Sequence, residues 1–250
     1  LPGIRQLDYQ LRIANPTGQI ATCPDPYAIH EPTFTAADGQ ALRQGTLADL
    51  YNRLGARAET QQGQPGINFT LWAPNASRVS VVGTFNQWDG RRHPLERHES
   101  GVWEIFIPGL GLGELYKYEI RNGEGAVFLK TDPLALKTET YPKTAAFTGD
   151  LAHRHAWADA EWQARALEQP GWNLPVAIHR VTLNATCGYG QLRDQVLPTL
   201  VERHCTHIEL SFWSPDETVA SYFTPNPRYG QPEELMAFID ACHQRNIGVI

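Results

Sequence analysis

The alternation of apolar and polar residues changes character twice along the chain. Asp8–Ala14 alternates in the manner of a strand and is followed by turn-formers, Asn15-Pro16-Thr17-Gly18 and then Pro24-Asp25-Pro26. Little in residues 1–45 can form a core alone, so the stretch reads as the tail of an N-terminal β module. From Gly66 the strand runs become dense: Ile67–Ala73, Arg78–Gly83, Val102–Ile107, Leu115–Arg121 and Ala126–Lys130. Asn122-Gly123 is a strong turn signal between the last two. Short strands separated by Gly, Pro and Asn, without a helical period, predict an immunoglobulin-like antiparallel β-sandwich over about residues 48–148. Trp72 and Trp103 lie inside strand runs and are expected in its core.

The second change comes at Ala156–Glu168, rich in helix formers and stopped by Pro170-Gly171. It predicts a linking helix within residues 149–175, packed on a neighbour by Trp157 and Trp162. From Pro175 the rhythm is β-α-β-α-β: a strand at Val176–Leu183, a helix at Gln191–His204 whose continuity Pro198 weakens, and a strand at Thr206–Phe212. A helix at Gln231–Arg245 and a strand opening at Ile247–Ile250 complete it. Such units predict a parallel sheet or barrel. A (β/α)8 barrel takes about 250 residues, so residues 176–250 hold less than half of one.

Composition narrows the field. The formal net charge of -6, with no Lys/Arg run, argues against nucleic acid and anionic membranes as partners. No apolar run approaches the ~18 residues of a membrane helix, and no signal peptide is visible. The opening Leu1-Pro2-Gly3, without an initiator methionine, is what a fragment or processed product would show. Cys23, Cys187, Cys205 and Cys242 include no pair two residues apart, which excludes a zinc ribbon and predicts reduced, mostly buried thiols of a cytosolic protein. The nine histidines form no metal-binding pair, and no cofactor or metal is expected.

Phe69-Thr70-Leu71-Trp72-Ala73-Pro74-Asn75-Ala76, followed by Phe85-Asn86-Gln87-Trp88-Asp89-Gly90-Arg91-Arg92-His93-Pro94, resembles the N-terminal sandwich of bacterial 1,4-α-glucan (glycogen) branching enzymes, of the α-amylase superfamily. The likeness continues through Gly101–Gly109, Leu115–Ile120, Lys130–Pro133, Tyr222–Gly230 and Phe238–Ile250, while residues 1–45 resemble the end of an extra N-terminal module. It implies a starch-binding type of sandwich, a truncated barrel, and chain transfer from an α-1,4 bond to a 6-hydroxyl in cytoplasmic glycogen biosynthesis. Such retaining chemistry needs two carboxyl groups about 5–5.5 Å apart. In the superfamily these follow the third barrel strand, so no catalytic residue is assigned and the chain alone is expected to be inactive. Glu209 and Asp240 match no catalytic position and read as solvated or capping carboxylates.

The resemblance makes Trp88 and Lys117 candidate contacts to an α-glucan, with Phe128 the nearest substitute for a second aromatic. Tyr222, Phe223 and Tyr229 follow the second barrel strand and are candidates for wall or substrate contact. Arg91-Arg92-His93 reads as a surface or domain-interface group rather than an anion site. Two segments depart from the family. Ile178–Ala185 replaces its usual first barrel strand, and the loop Ser211–Val219 lacks a Gly-Tyr that stacks on sugar. These departures leave open a second reading, a non-catalytic glucan-binding or scaffolding relic.

Overall fold

The computed structural model describes residues 9–24, 31–149, 155–168, 175–184, 187–212, 221 and 223–250. It divides into two units, the first holding residues up to 135 with 145–150 and 221–223, the second holding 136–144, 151–220 and 224–250. A hairpin opens the first, β1 (Gln10–Ala14) on β2 (Ile20–Pro24), and the Asn15 side chain closes its turn by accepting from Thr17 N and Gln19 N. The stretch read as the tail of a β module also contains helix α1 (Ala36–Gln44). Its mark is in the caps: Thr35 and Asp38 form a reciprocal capping box, and Gly45 ends the helix at φ 69°.

Eight strands follow: β3 (Gly55–Gln61), β4 (Gln64–Trp72), β5 (Ala76–Gly83), β6 (Glu96–Arg97), β7 (Val102–Pro108), β8 (Leu115–Asn122), β9 (Val127–Lys130) and β10 (Ala146–Phe147). One antiparallel sheet runs β3-β4-β7-β6; in the other, β8 pairs with β5 on one edge and with β9 and β10 on the other. Ile67, Phe69 and Leu71 of β4 and Ile105 of β7 meet Val79 and Val81 of β5 and Tyr116 and Tyr118 of β8 in one core. The β3–β4 turn, Gln62-Gly63, has both residues at positive φ, a hairpin geometry favoured by the twist of the strands. Trp103 is core, but Trp72 is 51% exposed, because alternation turns it outward beside the inward Leu71. Asn122-Gly123 does open the turn between β8 and β9, which is longer than two residues: Asn122 Oδ1 accepts from Glu124 N and Ala126 N, and Gly125 supplies the positive φ.

From Gly66 to Leu71 β4 is buried on both faces, since residues 31–54 cover the far side of its sheet through Phe34 and Leu54, which pack with Val102. Strand alternation places Asn68, Thr70 and Glu104 on that covered face, where Glu104 is 1% exposed. Its carboxylate accepts from Thr33 N at 3.0 Å, Thr33 Oγ1 at 2.6 Å and Asn68 Nδ2 at 2.7 Å. His98 Nε2 lies 3.0 Å from its Oε2, close enough for an ion pair but off the line of a good hydrogen bond. Burial pushes the Glu104 carboxyl up; His98, Thr33 and Asn68 outweigh it and bring it down to about 2. Glu104 in turn raises His98.

In the core, Asp132 accepts from the Tyr116 hydroxyl at 2.6 Å, more weakly from Tyr118 at 3.4 Å, and from Leu134 N at 2.8 Å. Burial raises the Asp132 carboxyl and pushes both phenols well above their usual range.

The second unit contains α2 (Ala160–Glu168), β11 (Ile178–Leu183), α3 (Tyr189–Gln191), a π-helical stretch (Leu192–Val196), α4 (Leu197–Glu202), β12 (His207–Phe212), α5 (Pro232–His243) and β13 (Gly248–Val249). β11, β12 and β13 form a parallel sheet in chain order. The helix expected over 191–204 survives its proline: the backbone widens to a π stretch just ahead of Pro198, which cannot donate to a carbonyl four residues back. Asp240 is not solvated; it is 6% exposed and accepts from Ala158 N at 3.0 Å, with His155 Nε2 at 3.2 Å. One turn along α5, His243 Nδ1 lies 2.7 Å from Asp159 Oδ2, and the Trp162 ring stacks on His243 at 3.7 Å. Trp162 thus packs α2 as expected, whereas Trp157 is 48% exposed. Cys242 is buried, and burial pushes its thiol up to about 12; Cys187 and Cys205 are half-buried, and all three are free. No helix among the described residues is long and apolar enough to cross a membrane.

Two predictions follow from these clasps. Glu104, depressed in the fold, stabilises above the ordinary carboxylate range near pH ~4.3, and that stability is lost as pH falls toward its folded value. His98, raised in the fold, stabilises below pH ~6.5 and loses its contribution as pH rises through its folded value. Thermal melts should therefore peak between about pH 4.5 and 6.5, and Glu104→Gln should lower and flatten the profile. Glu104→Ala should cost about 3 kcal/mol in urea titrations, as loss of one partner of a buried pair does. In the second unit, His243→Ala should destabilise by about 2 kcal/mol and speed hydrogen exchange in α2 and α5, whereas Trp157→Ala should cost under ~1 kcal/mol.

Candidate functional site

The site is built on β8. Its even-numbered residues Tyr116, Tyr118 and Ile120 point into the core, so Lys117, Glu119 and Arg121 face outward. The strand pairing sets Val82 opposite Lys117 and Ser80 opposite Glu119 on β5, and Leu129 of β9 opposite Glu119 on the other side.

The loop after β5 folds over this outward face. Asn86, fully buried, fastens it: Gly83 N donates to its Oδ1 at 2.8 Å, and its Nδ2 donates to Val81 O at 2.9 Å. Gly83 permits the close approach, since a Cβ there would meet Phe85 Cε1 at 2.6 Å. Phe85 packs beside Phe69, with ring centroids 6.1 Å apart. Past Asn86 the backbone makes an unusual turn, with both Gln87 and Trp88 at φ 60° and Trp88 N donating to Gly83 O at 3.0 Å. Left-handed backbone at two successive side-chain-bearing residues is costly and persists only where the surroundings impose it. The result leaves Trp88 41% exposed.

The neighbouring basic cluster turns inward on itself. Arg91 donates to Asp89 from Nε at 2.9 Å and Nη2 at 2.8 Å, and Arg92 Nε lies 3.8 Å from Asp89. Arg91 holds the Asp89 carboxyl far below its usual range. Burial, then the Arg92 charge, lowers His93, whose Nδ1 lies 2.9 Å from Asn86 Nδ2.

The other candidates stand apart. Phe128 pairs with Ile120 and so lies on the opposite face of the sheet from Lys117; Val127 and Leu129, both exposed, are the β9 side chains on the Lys117 face. Phe223 belongs to the first unit and is 72% exposed, while Tyr222 lies outside the described residues. Tyr229 belongs to the second unit, where it is 5% exposed and meets Tyr189 edge-on at 6.3 Å. Glu209 is engaged by Arg180 at 2.6 Å, which lowers its carboxyl. The Ser211–Val219 departure lies largely outside the described residues, as does Ala185 of the other. Asn86 and Glu119 were not singled out from the sequence; the first has its signal in Gly83 three residues before it, the second in the alternation of Tyr116-Lys117-Tyr118-Glu119.

Residues 53–135, which include Trp88 and Lys117, match the carbohydrate-binding module 48 (isoamylase N-terminal domain) family. Over 97% of its length the chain is 42% identical to the 1,4-alpha-glucan branching enzyme of Pseudomonas aeruginosa and 35% identical to that of Thermosynechococcus vestitus. The chain is a branching-enzyme homologue. It spans about a third of these branching enzymes, 35% and 36% of their lengths. Two solved structures share its fold: a putative alpha amylase from Salmonella typhimurium (TM-score 0.57, 21% identity, 79% of this chain and 32% of that one) and a pullulanase from Bacillus acidopullulyticus (TM-score 0.61, 17% identity, 96% and 32%). The outward face of β8 therefore lies within the stretch that matches the carbohydrate-binding module family.

Proposed function

We propose that this chain is the glucan-handling N-terminal part of a branching enzyme. The whole enzyme cuts α-1,4-glucan and transfers the cut chain to a 6-hydroxyl with retention, in cytoplasmic glycogen biosynthesis. The observation that carries the reading is the joint one of a carbohydrate-binding module match over residues 53–135 and the strained, exposed Trp88 on the outward face that also holds Lys117. The module is a starch-binding, immunoglobulin-like sandwich over residues 48–148. Residues 149–175 link it to the first strands and helices of a (β/α)8 barrel over 176–250, a reading supported by the parallel order β11-β12-β13. The proposed partner is a neutral α-glucan rather than nucleic acid or a membrane, in keeping with the net charge of -6.

Trp88 buries an apolar ring face against sugar C–H groups, and Lys117 donates a charge-assisted hydrogen bond to a hydroxyl. Phe223 is a further candidate by its exposure; Tyr229, buried within the second unit, is taken as a wall residue there. The catalytic carboxylates belong to later barrel strands, and Glu209 and Asp240 are structural.

One aromatic and one ammonium offer little area against a binding cost of at least ~4 kcal/mol. Millimolar affinity, about −4 kcal/mol, is therefore expected. In affinity electrophoresis the chain should be retarded by glycogen, with little dependence on salt, and Trp88→Ala should abolish the retardation. Retardation surviving Trp88→Ala would place the site elsewhere. The full-length parent should decolourise the iodine complex of amylose while this chain alone should not; turnover by the chain above a heat-killed control would overturn the assignment of catalysis to later strands.

A further inference from the structure

Of the outward positions on β8, the reading above uses only Lys117. Glu119, two residues on, is half-buried and lies beneath the Trp88 loop at Gly90. A Cβ built on Gly90 would stand 2.6 Å from Glu119 Oε2 and nearer still to Oε1. Gly90 has no left-handed backbone, so its missing side chain serves this approach and not a turn. The carboxylate has cations on its own strand face, Lys117 and Arg121, yet no hydrogen bond or ion pair to it occurs among the described residues. Arg78, opposite Arg121 on β5, donates to the Gly90 carbonyl. Directly across from Glu119, the Ser80 hydroxyl is fully buried and also without a hydrogen-bond partner.

Resting on the glucan reading, we infer that Glu119 is a second polar contact of this surface, held ready by Gly90 to accept hydroxyl protons from the vicinal diol of a glucose unit. A carboxylate only accepts and an ammonium only donates, so Glu119 and Lys117 read opposite ends of hydroxyl groups. Two positions along a strand are about 6.7 Å apart, so they engage different hydroxyls. The same carboxylate repels phosphorylated glucan, which makes Glu119 a determinant of specificity as well as of affinity.

Gly90→Ala is a probe of this arrangement, because the group it strikes is the end of a flexible side chain and would swing aside without disturbing the fold. Binding of maltoheptaose would be measured by titration calorimetry for the chain and for Trp88→Ala, Glu119→Ala, Gly90→Ala and the Glu119→Ala/Gly90→Ala double variant, each checked by its thermal melt. Glu119→Ala and Gly90→Ala should each weaken binding 5- to 10-fold, and the double variant should bind no more weakly than either. If Trp88→Ala abolishes binding while Glu119→Ala and Gly90→Ala bind like the parent, Glu119 is no contact and the glucan reading stands. Loss in Glu119→Ala with unchanged binding in Gly90→Ala also overturns the proposal. Absence of binding by the parent chain overturns the glucan reading and this inference with it.

Discussion

A carboxylate buried in the core determines which way β8 faces. Asp132 takes the hydroxyl of Tyr116 and, more distantly, that of Tyr118, and its other oxygen receives Leu134 N. Two phenols next but one to each other can reach one buried acceptor only if both point inward. A slip of one residue would send the entire side-chain set to the opposite face. It would strip Asp132 of both phenol donors and bring Lys117 and Glu119 into an apolar core, an outcome costing several kcal/mol per charge. The outward surface is therefore fixed by a group that never touches it, and the loop bearing Trp88 is laid over a face whose orientation is already decided.

The other sheet solves a different problem. β4 is buried on both faces from Gly66 to Leu71, so its polar side chains there need partners under the covering segment. Glu104 gathers Thr33, Asn68 and His98 for this purpose. The arrangement joins residue 33 to residues 68 and 104 through charge-assisted contacts, which hold well in a dry setting. In the second unit, Asp240 and His243 do similar work one turn apart on α5, with donor and acceptor exchanged between helix and strap.

Much of this was legible in the residues. Strand runs with strict alternation, such as Ile67-Asn68-Phe69-Thr70-Leu71, gave their places because half the pleat faces a core. The β-α-β order after residue 175 showed in the spacing of apolar runs. What escaped was set by polar side chains acting locally or at long range. α1 rests on a Thr35–Asp38 box in a stretch with little hydrophobic period. β3 reads as Gly-Ala-Arg-Ala-Glu-Thr-Gln and is a strand because β4 pairs with it, not by its own propensity. Trp72 was misplaced because a large apolar side chain outweighed its position in the alternation. Of the site, Trp88 and Lys117 were reached by resemblance; Glu119 and the facing of Phe128 required the register of β8 against β5 and β9.

The paired left-handed residues Gln87 and Trp88 have a consequence for the way a ligand would be met. A tryptophan on a relaxed loop samples many orientations, and holding one of them on contact with a sugar subtracts from affinity. Here the Gly83 carbonyl receives Trp88 N and the Asn86 carbonyl receives Asp89 N, so the backbone share of that ordering cost is settled when the chain folds. On the proposed glucan reading, such a surface would work as a rigid stamp: weak at a single contact, but quick to form and quick to leave. Along a polymer carrying many equivalent sugars, repeated brief contacts of this kind retain a protein near its substrate while leaving it able to move from one chain end to the next.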